Sequence, residues 1–131
     1  MSRYLLDTNA LVFFMQNSHR LKAVDRNRIA NPDNTIYVSA VSFIEIAIKV
    51  SINKLDLGKS VLDLVADVEA LGMNVADLGI TTIAGLEDMS LFHRDPFDRL
   101  LILHARELDA TFLTSDKHLL LYFEYARILR I

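Results

Sequence analysis

Short apolar segments alternate with longer segments of helical periodicity along this chain of 131 residues, and this alternation limits the folds that it can adopt. The apolar segments read as strands at residues 3–7, 35–39, 73–78, 110–115 and 125–131. Helical patterns occupy residues 8–16, 19–30, 40–55, 60–71, 80–89 and 95–109, and the second of them stops at the Asn-Pro-Asp-Asn turn of residues 31–34. Strands separated by helices usually pair in parallel, with helices on both faces. The sequence therefore predicts an α/β fold, a three-layer α/β/α sandwich around a mainly parallel central sheet of four or five strands.

The length predicts one domain over residues 1–131, large enough to bury a core. The hydrophobic content of 52% is slightly above the usual range, which favours a very apolar sheet or an interface with another chain. No apolar run reaches the ~18 residues of a membrane span, and the N-terminus lacks the ~7 to 15 apolar residues of a signal peptide. The absence of cysteine excludes disulfides and thiolate metal sites. We therefore expect a cytoplasmic protein without a membrane partner.

The formal net charge of −3 gives no whole-molecule attraction for nucleic acid. This counts against a nucleic-acid partner, although basic residues cluster at residues 19–28. The cluster reads either as a local RNA track or as a solvated helix face, and we favour the solvated face. An acidic protein can still bind phosphates where a bound cation reverses the local charge.

Four acids fall where the predicted fold would bring them to one edge of the sheet. Asp7 ends the first strand, Asp116 directly follows the fourth, and Glu45 lies early in the helix after the second strand. Parallel strands place their carboxyl ends at one edge, where ligands of α/β proteins bind. Asp98 lies in the first turn of the helix before the fourth strand, and it reaches this edge only if that helix begins there.

Several of these acids also have a local explanation. Asp7 and Asp116 could cap the helices that follow them, and Ser42 with Glu45 matches the capping-box pattern. The capping box explains Glu45 least well, because its neighbours in the segment FIEIAI are apolar. An ionised group in such surroundings is costly to bury unless it is paired or binds a metal.

The segment HRDPFDRLLI carries a second pair of acids with a helix-start explanation. Asp95 precedes Pro96 and reads mainly as a helix cap, since proline is common at the first helical position. Asp98 then falls in the first turn, where an acid favours the helix dipole. Capping alone could account for both residues.

A joint role for the four acids requires a cation. Carboxylates gathered within ~4 Å repel one another by a few kcal/mol, so a folded protein needs a compensating charge there. Oxygen ligands suit Mg²⁺ or Mn²⁺, and such sites activate water for phosphodiester hydrolysis. No GxSxG nucleophile elbow, no phosphate-binding GxxxxGK[ST] loop and no HExxH spacing offers another chemistry.

In order, the segments YLLDTNALV, VSFIEIAIKVSINKL, HRDPFDRLLI and FLTSDKHLL resemble the PIN-domain ribonucleases, and most closely the VapC-type toxins of toxin-antitoxin systems. The resemblance covers nearly the whole chain. It implies that four acids are both catalytic and metal-binding: Asp7, Glu45, Asp98 and Asp116. The last of these would act through water or by orienting the metal.

The resemblance also assigns supporting residues. Thr8, Asn9 and Thr114 would be small polar groups beside the acids. Arg99 and Lys117 would contact phosphate, with a solvated or helix-packing role as the equal alternative. His104 departs from the pattern, and we interpret it as a packed or interface histidine, because it lies near the apolar stripe of its helix.

For function, the resemblance implies a Mg²⁺-dependent endoribonuclease, with Mn²⁺ as the other candidate cofactor. RNA would be the substrate, a cognate antitoxin would cover the acidic site, and the chain would form a homodimer. The apolar run at residues 11–14 would then be partly core and partly interface.

Two other function classes remain at this stage. A PIN-like module could bind RNA or a partner protein without cleaving, although it would have no need for all four acids. A phosphoacceptor receiver domain also places acids at strand ends, but it needs an acidic pair at the first strand, where Asp7 stands alone.

Overall fold

The computed structural model describes all residues, 1–131, and its centre is a parallel five-stranded sheet. The strands are β1 (Arg3–Leu6), β2 (Thr35–Ser39), β3 (Asn74–Ala76), β4 (Thr111–Thr114) and β5 (Ile128–Arg130). Their order across the sheet is β3-β2-β1-β4-β5, and all four pairings are parallel. The predicted α/β class and sheet are therefore confirmed. This order also differs from the 2-1-3-4-5 order of receiver-like folds.

Six α-helices connect and cover the strands. They are α1 (Thr8–Met15), α2 (Ala23–Ala30), α3 (Ala40–Ser51), α4 (Val61–Ala70), α5 (Ile80–Ala84) and α6 (Pro96–Glu107). The predicted helix over 80–89 is divided into α5 and a 3-10 turn at Gly85–Asp88, and a second 3-10 segment at Lys117–Tyr122 was not predicted. The longest helices, α3 and α6, have 12 residues each, fewer than the ~20 that a membrane-spanning helix needs.

Alternation along the strands divides the core between the two faces of the sheet. Leu6 packs with residues of α1, α2, α3 and α4, whereas its neighbour Leu5 packs with α6. In β4, Leu113 and Phe112 divide in the same way, and all four side chains are fully buried. Because successive side chains of a strand point to opposite faces, both faces are apolar and both need helices.

The sheet order brings the carboxyl ends of β2, β1 and β4 side by side. The backbone N–H of Asp7 donates to the carbonyl of Leu113 (2.9 Å), which extends the pairing of β1 with β4 by one residue. Helix α3 follows β2 without a loop, and the Ser39 hydroxyl caps it by accepting from Val41 N (3.0 Å). Helix α3 contacts both α1 and α6, so their N-terminal residues can share one edge.

The apolar run at residues 11–14 is largely core. Leu11 and Val12 are buried, and Phe13 and Phe14 are half-buried against the same core. The run therefore contributes less to the surface than the sequence suggested.

The basic segment at residues 19–28 is partly used in intramolecular contacts. Arg26 donates to the carbonyl of Ser18 (3.1 Å), and Arg28 pairs with Asp25 (2.6 Å). These contacts favour a structural role for the two arginines over an RNA track.

His104 is buried in the core of the α6 face, as the packed interpretation predicted. Its Nδ1 lies 2.8 Å from the Ser39 hydroxyl, and the backbone of Asp77 offers a second hydrogen bond. Burial lowers the pKa of His104 below its ordinary value. A neutral ring therefore connects α6 to the start of α3.

Candidate metal centre

A small polar cavity of about 140 Å³ lies at the carboxyl edge of the sheet, and no hydrophobic residue lines it. The lining consists of Asp7, Thr8, Asn9, Glu45, Lys49, Asp95, Asp98 and Asp116. The structure thus brings all four predicted acids to one cavity, together with two of the three predicted supporting residues. Helix α6 begins at this edge, which is the condition that the sequence left open for Asp98.

Asp7 combines a structural role with a place in the cavity. One carboxylate oxygen accepts from Ala10 N (2.6 Å), which caps α1, and the other accepts from Ser115 N (3.2 Å) after β4. Burial raises the pKa of Asp7, the hydrogen bonds lower it, and the charge of Glu45 raises it further. The capping explanation and the site explanation therefore both apply to this residue.

Glu45 is buried on α3, and its two oxygens have different surroundings. Oε2 lies 2.8 Å from Nζ of Lys49, one helical turn later. Oε1 is buried and has no hydrogen-bond partner. Because buried polar atoms are nearly always paired, the unpartnered Oε1 is suited to bind a ligand such as a cation.

The capping-box explanation of Glu45 is wrong. Helix α3 is capped by Ser39, three residues before Ser42, so Ser42 lies inside the helix. The Ser42 hydroxyl instead accepts from the hydroxyl of buried Thr8 (3.0 Å) and ties α3 to α1 beside the cavity.

The carboxyl group of Asp98 has a strongly raised pKa. Burial raises its pKa from 3.8 to about 7, and the negative charges of Asp95 and Glu45 add to this effect. His93 opposes it, because Nε2 of its ring lies 3.0 Å from Oδ2 of Asp98. Asp95 caps α6 by accepting from Phe97 N (2.9 Å), as predicted, and its carboxylate also lines the cavity.

Asp116 is held at the end of β4 by its own backbone and side chain. Its N–H donates to Oγ1 of buried Thr114 (3.0 Å), and its Oδ1 accepts from His118 N (2.9 Å). Oδ2 is directed toward His93, 4.0 Å from Nε2. Thr114 thus lies next to the acids and contacts Asp116, but it does not line the cavity.

The two predicted phosphate contacts lie outside this lining. Arg99 donates to the carbonyl of Arg94 (3.4 Å), and its Nε is buried without a partner. Lys117 is exposed. Sequence reasoning missed the two basic residues that do contact the acids, Lys49 and His93, although the i, i+4 spacing of Glu45 and Lys49 was readable.

The chemistry of the donors fits a hard divalent cation. Five carboxylates line the cavity, and one ammonium group is the only fixed positive charge in the lining. Carboxylate oxygens are the preferred ligands of Mg²⁺ and Mn²⁺. The unpaired Oε1 of Glu45 and the raised pKa values of Asp7 and Asp98 are the features expected where a positive charge is lacking. Asp7, Glu45, Asp98 and Asp116 could therefore hold such an ion.

Comparisons with known proteins agree with the fold. The PIN domain family matches residues 4–123. Structurally, the chain is similar to VapBC2 from Rickettsia felis bound to a DNA fragment from their promoter, with a TM-score of 0.67, 18% identity and 98% of each chain covered. It is also similar to VapBC-1 from nontypeable Haemophilus influenzae, with a TM-score of 0.66, 17% identity and coverage of 98% of this chain and 97% of that one.

A third similar structure is FitAB bound to an IR36 DNA fragment, with a TM-score of 0.62, 14% identity and coverage of 97% of this chain and 94% of the other. No curated protein matches the sequence. At these identities the structural likeness establishes the fold alone. The match to the family spans nearly the whole sequence, which confirms the resemblance stated above: the chain belongs to the PIN domain family, whose members are generally nucleases.

Proposed function

We propose that this protein is a metal-dependent endoribonuclease and the toxin of a toxin-antitoxin pair, with residues 1–131 forming one catalytic domain. One observation carries the proposal. Four acids from four separate segments of the chain line a single polar cavity, and one of their buried oxygens, Oε1 of Glu45, lacks any partner. Helix capping does not explain Glu45, since Ser39 caps its helix.

Asp7, Glu45, Asp98 and Asp116 would hold Mg²⁺ or Mn²⁺. When bound, the cation supplies Lewis acidity, lowers the pKa of water at the site and offsets negative charge on a phosphodiester. The backbone N–H groups of Ala10 and Ser115 fix the Asp7 carboxylate. A ligand held in this way needs little reorganisation when the ion binds.

Two charged groups of the cavity respond to the cation and to the substrate. Without a cation, burial and the charges of Asp95 and Glu45 raise the pKa of Asp98 to about 7, so a bound cation would favour its ionised, metal-binding form. The Lys49 ammonium lies at the cavity and is 38% exposed, so it can contact a phosphate oxygen while it neutralises Glu45.

The test is an RNA cleavage assay with wild type and Asp98→Asn in Mg²⁺, in Mn²⁺ and in EDTA, with thermal melts of both proteins. We expect cleavage by wild type only, lost in EDTA, and a folded variant. Asp67→Asn is the matched control, because this exposed acid pairs with Lys59 outside the acidic cavity. Equal cleavage by Asp98→Asn would refute the assignment, and no cleavage by wild type would favour the binding-module alternative.

The partner follows from the structural relatives. VapBC2, VapBC-1 and FitAB support an antitoxin as the partner of this chain. An antitoxin segment with an arginine would suit the cavity, since a guanidinium pairs well with carboxylates. Such a segment should compete with Mg²⁺ for the same acids.

The proposed homodimer has a suitable apolar surface on α3. Ile44 and Ile48 on α3 and Ile52 at its C-cap are spaced four residues apart and are 50%, 44% and 54% exposed. A stripe of three isoleucines on one helix face favours contact with another chain over solvent. Size-exclusion chromatography with light scattering tests this, because Ile48→Glu should convert a dimer to a monomer.

A further inference from the structure

His93 is the one imidazole in contact with acids of the cavity, and two carboxylates converge on it. Its Nε2 lies 3.0 Å from Oδ2 of Asp98 and 4.0 Å from Oδ2 of Asp116. One ligand atom from each of the three residues lies within 4.8 Å of the other two. The three side chains are 28%, 21% and 34% exposed, whereas Asp7 and Glu45 of the same acidic group are buried.

The hydrogen bond between His93 and Asp98 explains only part of this arrangement. A ring nitrogen has one proton or one lone pair in its plane, so Nε2 can serve one partner fully. The bond to Asp98 would use it, yet Oδ2 of Asp116 is directed to the same atom without a hydrogen bond. Two carboxylate oxygens and one imidazole nitrogen around a common point form a ligand set.

The distances are compatible with one ion. Zinc lies about 2.0–2.2 Å from nitrogen and oxygen ligands, so two ligands of one ion are at most roughly 4.4 Å apart. The trio therefore has to contract by only a few tenths of an ångström. A second observation supports a cation beside these acids, because Glu45, which lines the same cavity as Asp98 and Asp116, has a buried Oε1 without a partner.

The backbone of His93 is held in place by a buried tyrosine. The Tyr122 hydroxyl accepts from His93 N (2.9 Å) and donates to the carbonyl of Ser90 (2.8 Å). Phe92 packs edge-on against the same ring, with centroids 5.2 Å apart. These contacts hold the His93 segment, which has no regular secondary structure, in the position where the imidazole meets Asp98 and Asp116.

We propose that His93, Asp98 and Asp116 form a mixed nitrogen and oxygen site for a divalent transition-metal ion such as Mn²⁺, Co²⁺ or Zn²⁺. The proposal rests on the metal centre proposed above and adds a nitrogen ligand to it. Imidazole binds transition ions well, whereas Mg²⁺ prefers oxygen. His93 would therefore set the preference of the centre among metals.

The test measures binding rather than activity. Titration calorimetry gives the affinities of wild type and His93→Ala for Co²⁺ and for Mg²⁺, and the Co²⁺ absorption spectrum reports nitrogen ligation. His19→Ala is the matched control, because this exposed histidine makes no contact with the acids of the cavity. We expect His93→Ala to lose at least about tenfold in Co²⁺ affinity, the loss typical when even a group that only orients a ligand is removed. Mg²⁺ affinity should change less.

A second measurement observes the histidine rings directly. In ¹⁵N spectra of the wild type, Zn²⁺ should shift Nε2 of one of the four histidines, and this signal should be absent from His93→Ala. Unchanged Co²⁺ affinity in His93→Ala, or unshifted ring nitrogens in Zn²⁺, would overturn the proposal while leaving the acidic centre intact. If wild type binds neither Co²⁺ nor Mg²⁺, the metal centre itself is refuted.

Discussion

Replacing Asp98 with asparagine should stabilise the metal-free protein at neutral and alkaline pH. Burial and the charges of Asp95 and Glu45 raise the pKa of Asp98 from 3.8 to about 7. Between these values the folded protein keeps a proton that the unfolded chain has released, so the free energy of unfolding falls as the pH rises. The penalty is complete above pH 7 and absent below pH 3.8. Asparagine removes the charge and therefore removes the penalty.

The pKa difference sets the upper limit of the effect. Each tenfold change in proton affinity corresponds to about 1.4 kcal/mol, so the change from 3.8 to about 7 amounts to at most roughly 4 kcal/mol. The bond from His93 to Asp98 is charge-assisted, and weakening it returns about 1–2 kcal/mol. We therefore expect a net gain of about 1–3 kcal/mol at pH 8 for Asp98→Asn.

Urea unfolding from pH 4.5 to 8.5 in EDTA measures this, with Asp67→Asn as the control acid. The advantage of Asp98→Asn should grow with pH and then level off above pH 7. Saturating Mg²⁺ should reverse it, because a ligand at one hundred times its Kd stabilises wild type by about 2.7 kcal/mol. An advantage that is independent of pH, or a variant that is less stable at pH 8, would refute the electrostatic reasoning.

Two further changes probe neighbouring groups. Lys49→Met leaves the buried Glu45 carboxylate unpaired, so we expect the free energy of unfolding in EDTA to fall by about 1–3 kcal/mol. Thermal melts should show that Mg²⁺ partly restores this stability, and an equal loss with Mg²⁺ would argue against a shared cation. Because burial holds the pKa of His104 below 6.5, its folded form resists protonation, and the stability of wild type should fall as the pH drops below 6.5. His104→Gln should lose about 1 kcal/mol at pH 7.5 but show a smaller acid-side decline in urea unfolding, and an unchanged decline would exclude His104 as its source.

The sequence predicted the fold well because its strongest signal, strand and helix alternation, is local. Each predicted strand overlaps an observed one, and the parallel sheet follows from the helices between them. The 3-10 segment at Lys117–Tyr122 was not predicted, because it is too short to show a recognisable periodic pattern. Tyr122 of this segment is buried against a loop that lies about 30 residues earlier in the chain. A contact over that separation leaves no local pattern in the sequence.

The same distinction explains what was found and missed at the site. The four acids were readable because each follows a strand or begins a helix, where connectivity fixes position. His93 was not, because it lies in an irregular segment that Tyr122 places through a hydrogen bond. Asp7→Asn is a less suitable variant than Asp98→Asn, because Asp7 also has a structural role. Both oxygens of Asp7 accept from backbone N–H groups, and an amide can replace only one of them. Asp98→Asn is therefore the cleaner test of catalysis.

The acidic net charge, which argued against RNA binding at the level of the sequence, has a different meaning once the acids are located. The cavity lining carries five carboxylates and one ammonium, a formal charge of −4 when all are ionised. The whole chain carries −3, so the residues outside the cavity carry a formal charge of +1. A divalent cation, or two of them, would offset much or all of the cavity charge. Toward the proposed RNA substrate, the metal-bound protein would then be close to neutral, so its affinity for phosphates should depend on the metal. Gel-shift binding of RNA to Asp98→Asn should accordingly be weak even where the protein is fully folded, because the variant keeps the remaining acids but binds the cation poorly.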